Sequence, residues 1–296
     1  MENIGETIMK TEELSPKQLK NLGKLTEEDR SELLKILNSN EKISFKNAKK
    51  ELKKNKKDHS SISQSDVSFN LINSDFRNLA DTFVDKYGLA DYIITDPPYP
   101  KEFVYLYSGL SNFANKILKD GGSLICMSGQ SYLPEVMNRL CENKNMIFRW
   151  MSAYLTPGGQ ATQIWPKKIN TFWKPLLIFT KGEYNGDWVG DVCKSPVNNN
   201  DKNYHHWGQS FGGMIDIVEK YTYPKDLVVD PFLGGGTTGI ACLKLRRNFI
   251  GIDIDSKCIE ISSNRFSQFL EEENKEQAEK NLVVPDNSRV LSFDNF

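Results

Sequence analysis

Short apolar runs alternate with amphipathic stretches along most of the chain, a pattern typical of α/β proteins. Runs rich in β-branched and aromatic residues predict seven strands, at residues 69–75, 90–95, 123–127, 146–154, 175–180, 227–230 and 249–253. Most are separated by stretches with helical spacing, at residues 79–87, 111–118, 130–142, 214–220 and 238–245, and residues 254–270 predict a last helix. We therefore expect a mostly parallel seven-stranded sheet with helices on both faces, finished by antiparallel strands at 146–154 and 175–180.

The two ends of the chain have a different composition. Residues 1–66 are rich in lysine and glutamate, and predict a helix from Thr26 and a second one over 44–57. We expect a helical N-terminal extension and linker over 1–66, a main domain over 67–270 and a C-terminal tail over 271–296. The lysines of the extension form either a solvated face or linker, or an arm that contacts phosphates.

Charge and cysteine content narrow the class of protein. The 296 residues carry a formal net charge of -1, so any attraction to nucleic acid must come from local clusters of charge. The five cysteines are scattered along the sequence, and none forms a CxxC pair. This pattern favours reduced thiols and a cytoplasmic protein. No apolar run approaches the roughly 20 residues of a membrane span, so we expect no membrane partner.

The sequence Asp96-Pro97-Pro98-Tyr99 directly follows the strand predicted at 90–95. Two prolines cannot continue a hydrogen-bonded ladder, so the chain leaves the sheet there and exposes Asp96 and Tyr99 at the strand's carboxyl end. Such ends bind ligands in open α/β sheets. A carboxylate, a backbone carbonyl and an aromatic ring in four positions suit a planar ring that carries an amino group.

A second motif, Asp230-Pro231-Phe232-Leu233-Gly234-Gly235-Gly236-Thr237, joins the strand at 227–230 to a helix. Its glycines let the backbone approach a ligand, and Asp253 ends the next strand about 20 residues later, the spacing at which an acid meets ribose hydroxyls. No lysine follows the glycines, and Asp230 would repel phosphate while favouring a cationic methionine group, so a phosphate loop is disfavoured. A plain strand-to-helix turn is the structural alternative.

Together, and in this order, the two motifs resemble the amino-methylating DNA methyltransferases that use S-adenosylmethionine, in the β-type motif arrangement. The resemblance extends from about Phe69 to Phe266 and implies a Rossmann-like methyltransferase fold. It implies that the catalytic residues are Asp96, Pro97, Pro98 and Tyr99. It implies that the cofactor is bound by Asp75, Asp230, Phe232, Gly234, Gly236, Thr237 and Asp253.

The resemblance places the target-recognition region at about 156–207, which is short for such an enzyme. Glutamines, basic residues and aromatic rings suit contacts to bases and phosphates, although a flexible surface loop is the alternative for 156–168. The candidate DNA contacts are Lys101, Tyr105, Gln160, Gln163, Lys167 and Lys168. Cys193, His205 and His206 lack the spacing of metal ligands, so we expect no metal.

The expected reaction is methyl transfer from S-adenosylmethionine to the N6 amino group of an adenine flipped out of double-stranded DNA, at a specific sequence. Asp rather than Ser at position 96 resembles the adenine-directed enzymes. The alternatives are cytosine-N4 methylation, or a non-catalytic DNA-binding phage accessory protein with the same fold. The sequence leaves a homodimer open and does not identify a restriction endonuclease partner.

Overall fold

A computed structural model describes residues 14–23, 25, 27–39, 43–58, 62–155, 161–196 and 210–282. The chain divides into two compact units, Met1–Asp66 and Val67–Phe296. Over the described residues, no helix combines the length and the apolar character that crossing a bilayer requires.

The described residues of the N-terminal unit form three α-helices, α1 (Pro16–Gly23), α2 (Glu27–Ser39) and α3 (Phe45–Lys57). They enclose a small apolar core formed by Leu22, Leu33, Leu34, Ile36, Leu37, Ala48 and Leu52. The Ser44 hydroxyl caps α3 by accepting the Asn47 N–H at 3.3 Å. Because these apolar side chains are buried within the unit, a plain linker does not describe residues 16–57; the helices expected there are present.

The larger unit is organised on one eight-stranded sheet. Its strands are β1 (Phe69–Asn73), β2 (Ala90–Thr95), β3 (Leu118–Met127), β4 (Met146–Leu155), β7 (Trp173–Lys181), β8 (Val192–Lys194), β9 (Leu227–Asp230) and β10 (Asn248–Asp253). A separate hairpin joins β5 (Thr162–Ile164) to β6 (Ile169–Thr171). The order in the large sheet is β1-β10-β9-β2-β3-β7-β4-β8, and β7 pairs antiparallel with both of its neighbours while the other pairs are parallel.

The mostly parallel sheet is confirmed, but the predicted number of seven strands is wrong. The eighth strand, β8, pairs with β4 at the sheet edge through only three residues. It lies in a polar stretch, and three residues are too few to show the alternation by which a strand is recognised. The predicted target-recognition region therefore contributes an edge strand to the sheet.

Helices cover both faces of the sheet. They are α4 (Phe76–Leu79), α5 (Phe83–Tyr87), α6 (Leu106–Ile117), α7 (Leu133–Leu140), α8 (Phe211–Tyr221), α9 (Thr237–Lys244) and α10 (Ser256–Leu282). Consecutive residues of β2 point to opposite faces: Ile93 packs in the core with Phe113 of α6, and Ile94 in the core with Ile217 of α8. Two apolar layers thus hold the central strands rigid between helices.

The predicted end of the last helix at residue 270 is wrong, because α10 continues to Leu282, within the region predicted as a C-terminal tail over 271–296. Three consecutive glutamates suggest a solvated end, yet Glu273 is buried. Its carboxylate accepts hydrogen bonds from Lys244 and, at 3.0 Å, from Arg246. Burial opposes ionisation, but these two cations outweigh it and lower the pKa of Glu273. The pairing holds the second half of α10 against the end of α9.

We expect Glu273→Gln to lower the free energy of unfolding at neutral pH by about 1–2 kcal/mol, because it removes the charge that pairs with Arg246. In the wild type, the ionised Glu273 carboxylate contributes this stability. The contribution is fully present above the ordinary pKa of 4.5 and is lost as the pH falls through the lowered pKa of the folded protein. Urea denaturation followed by circular dichroism measures the difference. The exposed neighbour variant Glu272→Gln is the control, and an equal loss in both variants would contradict the anchoring role.

Candidate active site

The site lies where two central strands diverge. β9 and β2 are parallel neighbours, with Tyr92 opposite Val228 and Ile93 opposite Val229. From β9 the chain continues through α9 to β10 on one side, whereas from β2 it continues through α6 to β3 on the other side. A crevice opens outside the carboxyl ends of such a pair, which is the general ligand site of open α/β sheets.

A buried hydrogen bond joins the two strand ends. The Thr95 hydroxyl at the end of β2 donates to Asp230 Oδ1 at the end of β9, over 2.7 Å. The same oxygen accepts the Phe232 N–H at 3.1 Å. Thr95 directly precedes Asp96, so this bond fixes the start of the 96–99 segment against the start of the glycine turn. The two predicted motifs, 134 residues apart in sequence, are therefore brought together.

Asp230 is almost fully buried, with 2% of its surface exposed. Burial raises the pKa of Asp230 to about 6, although hydrogen bonds from Thr95, Thr238 and the Phe232 N–H act in the opposite direction. The Asp96 carboxylate nearby adds to the increase. Two acids that share one water-poor crevice give it a negative potential, which favours a cationic ligand over an anionic one.

The glycine turn depends on two left-handed residues. Gly234 has φ +50° and Gly236, which precedes α9, has φ +75°, a region that side chains other than glycine rarely adopt. A Cβ at Gly236 would also lie 2.8 Å from Ser262 Oγ and 2.9 Å from Phe266 Cε1. Backbone conformation and packing against α10 both require glycine at this position.

Asp253, at the end of β10, closes the turn from the other side. Its Oδ2 accepts the Gly234 N–H at 2.9 Å, and its Oδ1 accepts the Asp255 N–H at 2.9 Å. The carboxylate is thus held by backbone groups next to Ile254, a cavity-lining residue. A carboxylate oxygen has two lone pairs, so each oxygen retains the capacity to accept from a hydroxyl group.

Two residues of α10 support the turn and were not found from sequence. The Ser262 hydroxyl donates to the Gly234 carbonyl at 3.0 Å, and Arg265 donates to the Gly235 carbonyl and to Thr237 Oγ1. Thr237 and Gly236 therefore face α10 and shape the turn, while their part in cofactor binding stays a prediction. Nothing local in the sequence marks Ser262 or Arg265, because their spacing is that of an ordinary amphipathic helix.

A cavity of about 180 Å³ opens beside the turn. It is lined by Phe232 and Pro231 from the turn, by Asp75 and Arg77, and by Ile254. Asp75 is the residue before α4, where its carboxylate accepts the Arg77 N–H at 3.0 Å and the Arg77 Nε at 2.9 Å. The bond to the Arg77 side chain lowers the pKa of Asp75, so this acid is ionised and fixed at the cavity wall.

The cavity is aromatic as well as charged. The Phe232 ring packs at 5.1 Å from the Phe76 ring, and the Arg77 guanidinium lies 5.8 Å from the centre of the Tyr105 ring. Tyr105, predicted as a DNA contact, thus lines the same cavity as Asp75 and Phe232. Flat rings and a carboxylate form a suitable lining for a nucleoside.

On the other side of Thr95, the 96–99 segment leaves the sheet as the two prolines require. The Tyr99 hydroxyl donates to Asp96 Oδ1, a contact within the motif itself. Burial raises the pKa of the Tyr99 hydroxyl, and the adjacent Asp96 charge raises it further, so Tyr99 stays neutral and remains a donor. This bond fixes the orientation of the Asp96 carboxylate, which lies close enough to Asp230 to raise the pKa of that acid.

The ring of Tyr99 rests on Gly129, which follows β3. A Cβ at Gly129 would approach Tyr99 Cβ to 3.1 Å, so the small residue makes room for the ring. The Lys174 ammonium lies 5.5 Å from the centre of the Tyr99 ring. Cys126, buried at the end of β3, has its thiol pKa raised well above the ordinary value by burial and by Asp96, so it is protonated.

The hairpin of β5 and β6 borders this part of the crevice through Gln130. The Gln130 side-chain amide donates to Thr171 Oγ1 at 2.8 Å and to the Trp173 carbonyl at 3.0 Å, and Gln130 directly follows Gly129. Trp165 and Phe172 of this region are strongly exposed, 77% and 65%. The hairpin is therefore an aromatic, solvent-facing projection next to Tyr99.

The remaining predicted DNA contacts are distributed over two segments. Gln163, Lys167 and Lys168 are exposed on the hairpin, where Lys168 has φ 52° at the turn. Lys101 is exposed in the short helical turn Lys101–Phe103 that follows the 96–99 segment. Gln160, His205 and His206 lie outside the described residues, as does the whole region 197–209.

Comparison with known proteins agrees with this geometry. A family model described as DNA methylase, of the N6/N4 methyltransferase class, matches residues 212–264, which hold the glycine turn and Asp253. The type II methyltransferase M.HindIII of Haemophilus influenzae is 31% identical over 220 residues, 57% of this chain and 71% of that protein. M.HpaI of Haemophilus parainfluenzae is 26% identical over 215 residues, 59% of this chain and 67% of that protein. The chain belongs to the N6/N4 family of DNA amino-methyltransferases.

Solved structures share the fold. The M1.HpyAVI complex with SAM has a TM-score of 0.55 and 24% identity, over 67% of this chain and 98% of that one. The cytosine-N4-specific PvuII DNA methyltransferase has a TM-score of 0.57 and 18% identity, over 67% of this chain and 86% of that one. The Rossmann-like methyltransferase fold expected from the motifs is confirmed.

Burial of the Asp230 carboxylate lowers the free energy of unfolding at neutral pH, and this loss can be measured. Its folded pKa of about 6 exceeds the ordinary 3.8, so the folded protein holds a proton that the unfolded chain has released, and the free energy of unfolding falls as pH rises through this window. We expect Asp230→Asn, which keeps an acceptor for Thr95, to raise the free energy of unfolding above pH 6 by about 2 kcal/mol.

Urea denaturation at about pH 4 and about pH 7.5 measures this effect, because the gain should shrink at the lower pH. The control is Asp120→Asn, an acid whose side chain is 95% exposed. Equal stability of Asp230→Asn and wild type at both pH values would contradict the burial argument.

Proposed function

We propose that the protein transfers a methyl group from S-adenosylmethionine to the N6 amino group of an adenine in double-stranded DNA. Membership of the amino-methyltransferase family supports DNA methylation as the activity. The observation that carries the proposal is the buried bond from Thr95 to Asp230, because it brings the amino-binding motif and the cofactor turn to one crevice.

The residues beside the glycine turn fit S-adenosylmethionine. Asp253 would accept hydrogen bonds from the ribose hydroxyls, and Phe232 and Ile254 would pack against the adenine ring. Asp230 would favour the positively charged end of the cofactor. When bound, the cofactor supplies an electrophilic methyl group on a sulfonium. M1.HpyAVI, which shares the fold, has been solved as a SAM complex.

The 96–99 segment offers two hydrogen-bond acceptors that would activate the amino group of adenine as a nucleophile. The amino nitrogen of adenine is unreactive because its lone pair is delocalised into the ring. Hydrogen bonds from the amino group to the Asp96 carboxylate and the Pro97 carbonyl would localise that lone pair and stabilise the developing positive charge. Tyr99 keeps Asp96 oriented through its hydroxyl, and its ring offers a surface on which the base stacks.

A covalent enzyme intermediate plays no part in this chemistry. Cys126 lies near Asp96 and Asp230, and burial raises the pKa of its thiol well above the ordinary value, which leaves it a poor nucleophile. Direct transfer to the exocyclic nitrogen instead depends on alignment of the two reactants, which the adjacent strand ends supply.

Double-stranded DNA is the proposed substrate, and a base within a duplex must be flipped out to enter the crevice. The hairpin beside Tyr99 offers exposed rings and the cations Lys167 and Lys168 to bases and phosphates. Lys101, in the short helical turn that follows the 96–99 segment, would add a phosphate contact.

Cytosine N4 is the second candidate target, favoured by the fold shared with the cytosine-N4-specific PvuII enzyme. Asp at position 96 supports adenine. The test is mass spectrometry of nucleosides from DNA incubated with the protein and S-adenosylmethionine. We expect N6-methyladenine; N4-methylcytosine as the product would overturn the adenine assignment.

We expect Asp96→Asn to slow methyl transfer by about 10²-fold or more, because the amide cannot match the carboxylate in stabilising charge at the amino nitrogen. Binding of S-adenosylmethionine should change less than about threefold, a difference of under 1 kcal/mol. Labelled-methyl transfer and calorimetry give the two readouts. The control is Glu102→Gln in the adjacent turn, and full activity of Asp96→Asn would remove this carboxylate from the mechanism.

We expect Asp253→Asn to weaken binding of S-adenosylmethionine roughly tenfold or more, because a charged acceptor of ribose hydrogen bonds is lost. The amide oxygen can still accept the Gly234 N–H, so this bond to the turn is kept, whereas the bond from the Asp255 N–H to the other carboxylate oxygen is lost. Calorimetry measures the dissociation constant, with Asp255→Asn two residues away as the matched control. An unchanged constant in Asp253→Asn would contradict the ribose role.

A further inference from the structure

The third helix of the N-terminal unit carries an unusual concentration of positive charge. α3 contains seven lysines and one glutamate in its 13 residues. At about 3.6 residues per turn, six of the lysines fall within an arc of about 140° on the helix surface. This lysine face is formed by Lys46, Lys49, Lys50, Lys53, Lys54 and Lys57. The buried Ala48 and Leu52 point to the other side, into the core of the unit.

Several lysines of the lysine face oppose formation of the helix. The helix has no acidic residue in its first turn, and Lys46 lies there, where the positive end of the helix dipole disfavours a cation. Lysines four residues apart, such as Lys46 with Lys50 and Lys50 with Lys54, repel each other and destabilise the helix. Lys56, which lies outside the face, pairs with Asp29 of α2 at 2.9 Å. The repulsion among these lysines therefore gives the face an electrostatic cost.

The arrangement fits a polyanion. Lys46, Lys50 and Lys54 are exposed and occupy successive turns, so they form a straight row of cations along the helix. The chain as a whole has a net charge of -1 and attracts no polyanion by itself. A local row of lysines on a folded unit with its own core would supply that attraction.

We infer that the lysine face binds the phosphate backbone of double-stranded DNA without reading its sequence. This inference rests on the proposed function, which makes DNA the substrate. The face adds a second DNA contact to the one at the active site, and so raises affinity for any duplex that carries a target. It assigns the N-terminal unit a binding role separate from methyl transfer.

The test compares two triple variants of the full chain. Lys46→Gln, Lys50→Gln and Lys54→Gln together remove the exposed row. Lys17→Gln, Lys20→Gln and Lys35→Gln remove the same charge from exposed positions on α1 and α2. Circular dichroism and thermal denaturation establish that both variants are folded. Binding to a random-sequence duplex of about 30 base pairs is then measured by fluorescence anisotropy from about 50 to about 300 mM NaCl.

We expect the row variant to bind about tenfold or more weakly at about 100 mM salt, and the slope of log affinity against log salt to fall by about two to three. The control variant should keep the wild-type slope. An unchanged slope in the row variant, or an equal loss in both variants, would overturn the inference. The inference would also be overturned if the row variant lost binding to anionic lipid vesicles while its DNA binding was unaltered, because the lysine face would then bind membranes rather than DNA.

Methyl transfer at low salt and saturating DNA separates this inference from the proposed function. The row variant should transfer methyl groups at the wild-type rate under those conditions, because its substitutions lie outside the active site. If the wild-type protein transfers no methyl group to DNA, the proposed function fails, while the salt slopes still decide whether the lysine face binds DNA.

Discussion

The site depends on one hydrogen bond, from the Thr95 hydroxyl to the buried Asp230 carboxylate. It links the ends of the two strands at which the sheet order reverses, and each strand end begins a motif. On one side the two prolines turn Asp96 away from the sheet; on the other the glycine turn bends toward Asp253. Because both layers of apolar side chains hold β2 and β9 in place, the bond joins two rigid elements and sets the distance between the two halves of the crevice.

The parts of this site that sequence reveals are those with local causes. Pro97 and Pro98 cannot continue the hydrogen bonding of a sheet, and the left-handed backbone at 234 and 236 favours glycine. The local geometry of both motifs can therefore be predicted from a few residues. The parallel core strands are likewise visible, because strands buried on both faces are continuous apolar runs. Once the order of the strands in the sheet is known, Asp96 and Asp230 must lie close together, because each follows or ends one of two neighbouring strands. The order of the two motifs, which resembles that of the family, implies the same proximity.

The parts that sequence does not reveal arise between distant residues. Ser262 and Arg265 support the glycine turn from α10, and Glu273 is buried by cations 27 and 29 positions away. In the sequence, each of these residues resembles part of a solvated helix face. The residues next to it in the chain indicate neither that its side chain is buried nor which distant residue it contacts. The three-residue strand β8 is hidden for a related reason: its conformation is imposed by pairing with β4 rather than by its own composition.

The attachment of α10 has a dynamic consequence. Its first half supports the cofactor turn through Ser262 and Arg265, and its second half is anchored to the end of α9 through Glu273. Under the proposed function, local opening of this helix releases the backbone of the glycine turn that binds the cofactor, and bound cofactor in return protects helical amides some distance away against hydrogen exchange. Under the same proposal, the glycine turn and α10 open together, so the cofactor stabilises residues along a 27-residue helix.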